Sequence, residues 1–285
     1  MLNTPGVGGL SGVVRVLREW QYDGAPVQLH PGDLGWYWRF GAEETAAAVR
    51  TWSRDGRMLA VGLLDGPTVL RLSLAPDAQH DEQLARQILA DVDQPASDVL
   101  PEGEVSVEAR SAERLREFLL EDGWEPGESW TPLRRDLAPP LEDCGVRTAV
   151  VTPDQASLRT AVQRAAFDGS SFTDERWRVM AAGLPYAEAR CLVAFDEGDN
   201  AVAAATVWAA GPGRPGLLEP MGVHRGHRGR GYGRAISLAG ADALRELGSS
   251  SAIVCTRSSN LGAVATYRSA GFQPLAEARD LQRPI

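Results

Sequence analysis

Val223-His224-Arg225-Gly226-His227-Arg228-Gly229-Arg230-Gly231-Tyr232-Gly233-Arg234-Ala235 governs how the rest of the chain is read. Residues 216–223 before it form an apolar run that reads as a strand. After it, Ile236, Leu238, Leu244 and Leu247 recur at helical rather than alternating spacing. A strand, a turn of glycine and arginine, and a helix in that order make a place for phosphate. The helix start offers N–H groups without intrahelical acceptors and the positive end of a dipole. The glycines let main-chain N–H groups approach an oxyanion, and the arginines add charge.

Spacing narrows the reading. No Gly-Lys-Ser/Thr follows the glycines, which excludes a Walker loop, and arginine alternating with glycine does not make a dinucleotide fingerprint. Arg228-Gly229-Arg230-Gly231-Tyr232-Gly233 resembles the acetyl-CoA signature of the GNAT superfamily of acyl-CoA-dependent N-acyltransferases, Arg/Gln-x-x-Gly-x-Gly/Ala, with Val223 as the hydrophobic end of the preceding strand. Downstream, residues 251–256 read as a short strand followed by Asn260, Ala265, Tyr267 and a helix ending in Gly271-Phe272. That order is similar to the family's second segment. The resemblance covers roughly residues 146–285.

The resemblance implies acetyl-CoA as acyl donor. Main-chain N–H groups of Arg228, Gly229, Arg230, Gly231, Tyr232, Gly233 and Arg234 would hold its diphosphate. The strand would pair with the pantetheine arm, and an N–H near Met221, Gly222 or Val223 would polarise the thioester carbonyl. Tyr267 matches the position of the general acid. A tyrosine, with a reference pKa of about 10, can protonate a leaving thiolate of about 8.5 without being ionised at neutral pH. Asn260 either bonds the cofactor arm or caps its helix. Glu219, before Pro220, is the candidate base, although a carboxylate there also suits an exposed strand position or an ion pair. Glu188, Asp174 and Glu175 are weaker candidates.

Composition bounds the setting. At 285 residues, 44% hydrophobic and 24% charged, the chain can build one large or two ordinary cores. A formal net charge of −9 argues against general affinity for nucleic acid or anionic membranes, and no apolar run is long enough to cross a bilayer. Residues 1–12 lack the layout of a signal peptide. Cys144, Cys191 and Cys255 are too few and scattered for a disulfide framework, and no His, Cys or acid spacing suggests a metal site. Cys191 and Cys255 sit in apolar strand patterns and are expected to be buried. These features point to a cytoplasmic protein without nucleic-acid or membrane partners, and leave a homodimer open.

Residues 136–145, with Pro139 and Pro140, read as a linker. Shifting the sequence by 148 residues lays residues 70–126 on residues 218–274 without gaps, placing Gly123-Trp124-Glu125-Pro126 on Gly271-Phe272-Gln273-Pro274. The expected fold is therefore α/β of the α+β type: two tandem GNAT-like domains, each a mixed, largely antiparallel central sheet flanked by helices. Residues 1–138 form one domain, 139–145 the linker and 146–285 the acetyltransferase domain. In the same register His80, Asp81 and Glu82 replace Arg228, Gly229 and Arg230, while Gln83 and Ala85 replace Gly231 and Gly233. Two carboxylates suit a helix start but repel a diphosphate, so the first half is expected to lack a cofactor site. Trp36, Tyr37, Trp38, Phe40 and Trp52 read as core aromatics, with an acceptor cleft as the alternative. The acceptor is expected to be a small-molecule or peptide amine. The rival reading is a non-catalytic acyl-CoA-binding regulator.

Overall fold

The computed structural model describes residues 1–94 and 97–284. Contacts group them into two compact units: Met1–His30, Ala42–Trp130 and Glu277–Ile285 in one, Pro31–Gly41 and Thr131–Ala276 in the other. No single cut in the chain separates them. Residues 31–41 pack with the second half, and 277–284 return to the first.

The first unit is a sheet ordered Leu2–Asn3, Val49–Arg54, Arg57–Leu64, Val69–Leu74, Val105–Glu108, Ala278–Arg283 and then the start of Glu125–Asp136. Of the pairs along it, Val69–Leu74 with Val105–Glu108 is parallel and the others are antiparallel. The amphipathic helices Leu10–Glu19, Glu82–Asp93 and Glu113–Glu121 bury Leu10, Val13, Leu17, Leu84, Ile88, Leu115 and Phe118. The returning strand belongs here because Leu281 is fully buried between Val107 and Pro126.

Within this unit Glu108 lies 3.1 Å from Arg71 and 3.5 Å from Arg110, which in turn lies 3.5 Å from Asp280. Burial, and then the Glu108 charge, push the Asp280 carboxyl up to about 6. A carboxyl raised from about 3.9 in the unfolded chain binds its proton better when folded, so it favours the folded state increasingly as pH falls from 7 towards 4. The melting temperature of wild type relative to Asp280→Asn should therefore rise between pH 7.5 and pH 5. A difference that does not change with pH would show Asp280 titrating normally.

The second unit has the sheet order Thr148–Val150, Ala189–Phe195, Ala201–Trp208, Gly216–Val223, Ser251–Arg257 and the end of Glu125–Asp136, with Gln273–Pro274 paired on the last. Side chains alternate across its strands. On one face Val207 and Leu218 meet Gly240 of the helix Tyr232–Glu246. On the other, Thr206 meets Arg159 of the helix Ala156–Ala166, which continues from a 3₁₀ turn, Pro153–Gln155, that a Thr152–Gln155 capping box opens. The helix Asp174–Ala181, capped by Thr173, packs against Ala156–Ala166.

The register of 148 residues holds in the elements. Shifted by that amount, Glu113–Glu121 coincides with the helix Leu261–Ser269, and Val69–Leu74 and Val105–Glu108 fall within Gly216–Val223 and Ser251–Arg257. The chain is thus a tandem α/β fold in which each unit carries a mixed, mostly antiparallel sheet with flanking helices. Among the described residues, no helix is long and apolar enough to cross a membrane, and no cluster of His, Cys, Asp and Glu is arranged to hold a metal ion.

Candidate active site

The strand Gly216–Val223 is irregular in two ways that create a site. It pairs with Ser251–Arg257 in parallel only at Gly216–Ala252 and Leu217–Ile253, so the two strands part company beyond those positions. On its other edge the antiparallel pairs Leu217–Trp208 and Leu218–Val207 resume only at Met221–Ala205. Glu219 and Pro220 therefore share Thr206 as opposite number, forming a bulge. Such a bulge re-aims a side chain, and a proline, which cannot donate to a ladder, is tolerated there.

Beyond the strand, Arg225–His227 make a single 3₁₀ turn, and His224 accepts the Gly226 N–H at its Nδ1 (3.1 Å). Gly229 and Gly231 then adopt φ of +76° and +86°, a left-handed conformation that a side chain disfavours. The first bond of the following helix runs from the Ala235 N–H to the Gly231 carbonyl (3.0 Å). The N–H groups of Tyr232, Gly233 and Arg234 lie ahead of it, at the positive end of a helix of 15 residues.

Two features of this turn lie beyond its sequence pattern. Most of its arginines are tied to the chain. Arg225 bonds the Ala165 carbonyl (2.9 Å) and pairs with Asp168 (3.0 Å), and Arg228 bonds the Ala166 carbonyl (2.7 Å). Arg234 bonds the Ser269 carbonyl (3.0 Å) and pairs with Glu142 (2.5 Å). They draw the ends of two helices, which carry unpaired carbonyls, onto the turn. Arg230 is exposed and makes no hydrogen bond or ion pair among the described residues. Gly233, for its part, serves close packing: a Cβ there would come within 2.8 Å of Thr266.

Tyr267 is buried on the helix Leu261–Ser269, its ring 5.8 Å from that of Phe272. Burial above all, then the Glu219 carboxylate and then the Cys255 thiol, hold its hydroxyl well above the usual tyrosine range. It therefore stays protonated at neutral pH. Glu219 and Cys255 thus each lie within electrostatic reach of Tyr267. Cys255 is half-buried rather than a core thiol, whereas Cys191 is fully buried. Met221 packs against the core beside Ala205, while Gly222 is buried and Val223 half-buried at the strand end leading into the turn.

Asn260 is exposed and caps its helix, its Oδ1 accepting the Ala263 N–H at 3.1 Å. The capping role is therefore in place. Asn260→Ala should cost about 1 kcal/mol of stability. Its acetyl-CoA affinity, measured by titration, should stay at the wild-type value; a tenfold weakening would restore the binding role.

The equivalent helix start in the first unit is closed from within. The Asp81 carboxylate accepts the Leu84 N–H at 2.9 Å and takes both terminal nitrogens of Arg54, at 2.7 and 3.1 Å. An internal carboxylate thus stands where the other unit offers open N–H groups. Leu119, fully buried, replaces the tyrosine, and Ala112 caps its helix without a side-chain bond.

Sequence reasoning missed Trp208 and the packing of residues 31–41 with the second half. The Trp208 Nε1–H donates to the Glu219 carbonyl at 2.6 Å. Of the aromatics expected in the core, Trp38 and Trp52 are buried, but Trp36 and Tyr37 are half-buried and Phe40 is exposed. Trp36 packs on Phe172 with ring centres 5.0 Å apart. The Gly32–Gly35 spacing was the one visible signal, since small residues at i and i+3 mark a helix face built for close approach. A separate cavity of about 450 Å³, lined in part by Glu142, Asp143, Asp242 and Glu246, contains none of the residues of this site.

Residues 157–272 match the family model of the acetyltransferase (GNAT) family. No curated protein sequence matches the chain. Among solved structures, it resembles a GCN5-related N-acetyltransferase from Sphaerobacter thermophilus (TM-score 0.59, 18% identity, 99% of this chain and 95% of that one). It also resembles a GNAT-family acetyltransferase from Colwellia psychrerythraea (0.59, 17%, 99% and 98%). A tandem GNAT protein from the clavulanic acid biosynthesis pathway is similar over the same extent (0.56, 16%, 99% and 98%). At these identities the structures speak for the fold, and the family match speaks for the second half. Residues 157–272 are thus similar to the acetyltransferase (GNAT) family, and the fold of the whole chain is similar to that of GNAT-family structures.

Proposed function

We propose that the chain transfers an acetyl group from acetyl-CoA to a primary amine, using one site in the second unit, and that it works in the cytoplasm. The observation that carries the reading is the divergence of Gly216–Val223 from Ser251–Arg257 just ahead of an open helix start, with the Glu219 carboxylate within electrostatic reach of Tyr267.

The residues fit the donor. Left-handed Gly229 and Gly231 with the N–H groups of Tyr232, Gly233 and Arg234 suit a diphosphate. The unpaired edge of Met221, Gly222 and Val223 suits an extended amide arm, and an N–H there would polarise the thioester carbonyl. Acetyl-CoA supplies an activated acyl group, and the protein handles the protons. Glu219 takes one from the amine, directly or through water. Tyr267, kept protonated by its surroundings, gives one to the departing sulfur. The acceptor is a small-molecule or peptide amine.

Thiol release from acetyl-CoA, measured across amino sugars, polyamines, amino acids and peptide N-termini, tests this reading. At least one amine should accelerate release and appear as its N-acetyl product. Tight acetyl-CoA binding with no transfer to any amine would favour a non-catalytic binder.

A further inference from the structure

We infer that Trp208 is a positioning residue for the Glu219 carboxylate, and that the helix Pro31–Tyr37, drawn from the first half of the sequence, holds Trp208 in place. The inference rests on Glu219 acting as the base.

The bulge creates the need. Regular ladder pairs fix the strand up to Leu218 and again from Met221, and Glu219 and Pro220 fall between them. Pro220 has no N–H to offer, so the conformation of Glu219 depends on contacts outside the ladder. The Trp208 indole supplies one, a 2.6 Å bond from Nε1–H to the Glu219 carbonyl. The direction in which a side chain leaves the main chain follows its own peptide planes, so this bond bears on where the carboxylate points. It acts within a buried setting, since Trp208 is 1% exposed, and a neutral hydrogen bond there is stronger than in water.

The indole is itself gripped along its length. A Cβ on Gly32 would come within 2.6 Å of the Trp208 Cβ and Cγ, and a Cβ on Gly35 would overlap the six-membered ring. Gly32 and Gly35 are one helical turn apart, so the bare face of this helix lies flat on the indole. The Tyr186 ring meets Trp208 edge-on, with centres 6.0 Å apart. Pro31, Gly32, Asp33, Leu34 and Gly35 are all buried. A displacement of this helix is therefore transmitted to the indole, and through one hydrogen bond to the residue carrying the base.

The test uses the full-length chain and thiol release from acetyl-CoA. The acceptor is the fastest amine of the panel, or water where no amine exceeds it. Trp208→Phe keeps an aromatic ring and removes the N–H. It should lower kcat about tenfold, the rate equivalent of one lost hydrogen bond, while the KM for acetyl-CoA stays within twofold. Gly35→Ala, which displaces the indole instead of replacing it, should give a loss of the same kind. Neither change should slow the reaction further in a Glu219→Gln background, because the group they position is then gone. Should Trp208→Phe fail to fold, Gly35→Ala carries the same comparison. An unchanged kcat in the variants, or a loss that persists undiminished beside Glu219→Gln, would overturn the positioning role. Wild-type turnover of Glu219→Gln alone would instead refute the assignment of the base, a separate outcome.

Discussion

Gly231→Val should abolish acetyl-CoA binding, whereas Arg230→Ala should weaken it by only a few-fold. Gly231 sits at φ +86° immediately before the helix, and a β-branched residue held there is strained by about 1–3 kcal/mol. Relief of that strain rotates the peptide that aims the Tyr232 N–H, and the branched side chain stands over the same N–H groups. Arg230 is exposed and bonded to nothing within the described chain, so it contributes a charge that salt screens. Thermal denaturation reads both effects. At about a hundredfold its dissociation constant, acetyl-CoA should stabilise wild type by roughly 2.7 kcal/mol. Gly231→Val should show no shift and Arg230→Ala most of it. A full shift in Gly231→Val would mean that the diphosphate lies elsewhere.

Tyr267→Phe should lower turnover by about 10²–10⁴-fold and leave acetyl-CoA affinity nearly unchanged. The substitution keeps the ring and its packing on Phe272, and removes the one proton that burial and the neighbouring Glu219 charge hold on the hydroxyl. Because that proton stays in place well above neutral pH, the tyrosine should impose no limb on the kcat profile between pH 6 and 9. Weaker binding with unchanged turnover would recast Tyr267 as a packing residue. No change in either would mean that the thiolate leaves unaided.

What the sequence made legible was local or repeated. The glycines of the turn announce a left-handed backbone ahead of a helix, and the turn is built that way. The register of 148 residues places Glu113–Glu121 on Leu261–Ser269, because both copies keep the same helix length between a strand and a Gly-aromatic ending. The acids at 81 and 82 signal a helix start that needs no external anion, and Asp81 fills that role with Arg54 as its counter-ion.

What stayed hidden depends on contacts far apart in the chain. Nothing near Arg228 reveals that its guanidinium reaches the Ala166 carbonyl, 62 residues away. Likewise, the bare face of Gly32 and Gly35 is visible as spacing, but its partner Trp208 is fixed only once the strands pair. Cys255 reads as an apolar strand residue because period-two patterning cannot register that the neighbouring strand has moved away. In each case a residue's role is set by where a ladder ends or which helix end lies nearby.

Acetyl-CoA is expected to bind one unit of the tandem pair, at the turn spanning Gly229 to Arg234, and not the other. Calorimetric titration of acetyl-CoA into the full-length chain and into Gly231→Val tests it most directly. One site per wild-type chain and none in the variant is the expected result. Two equivalent sites, or one site that survives intact in a folded Gly231→Val, would contradict it.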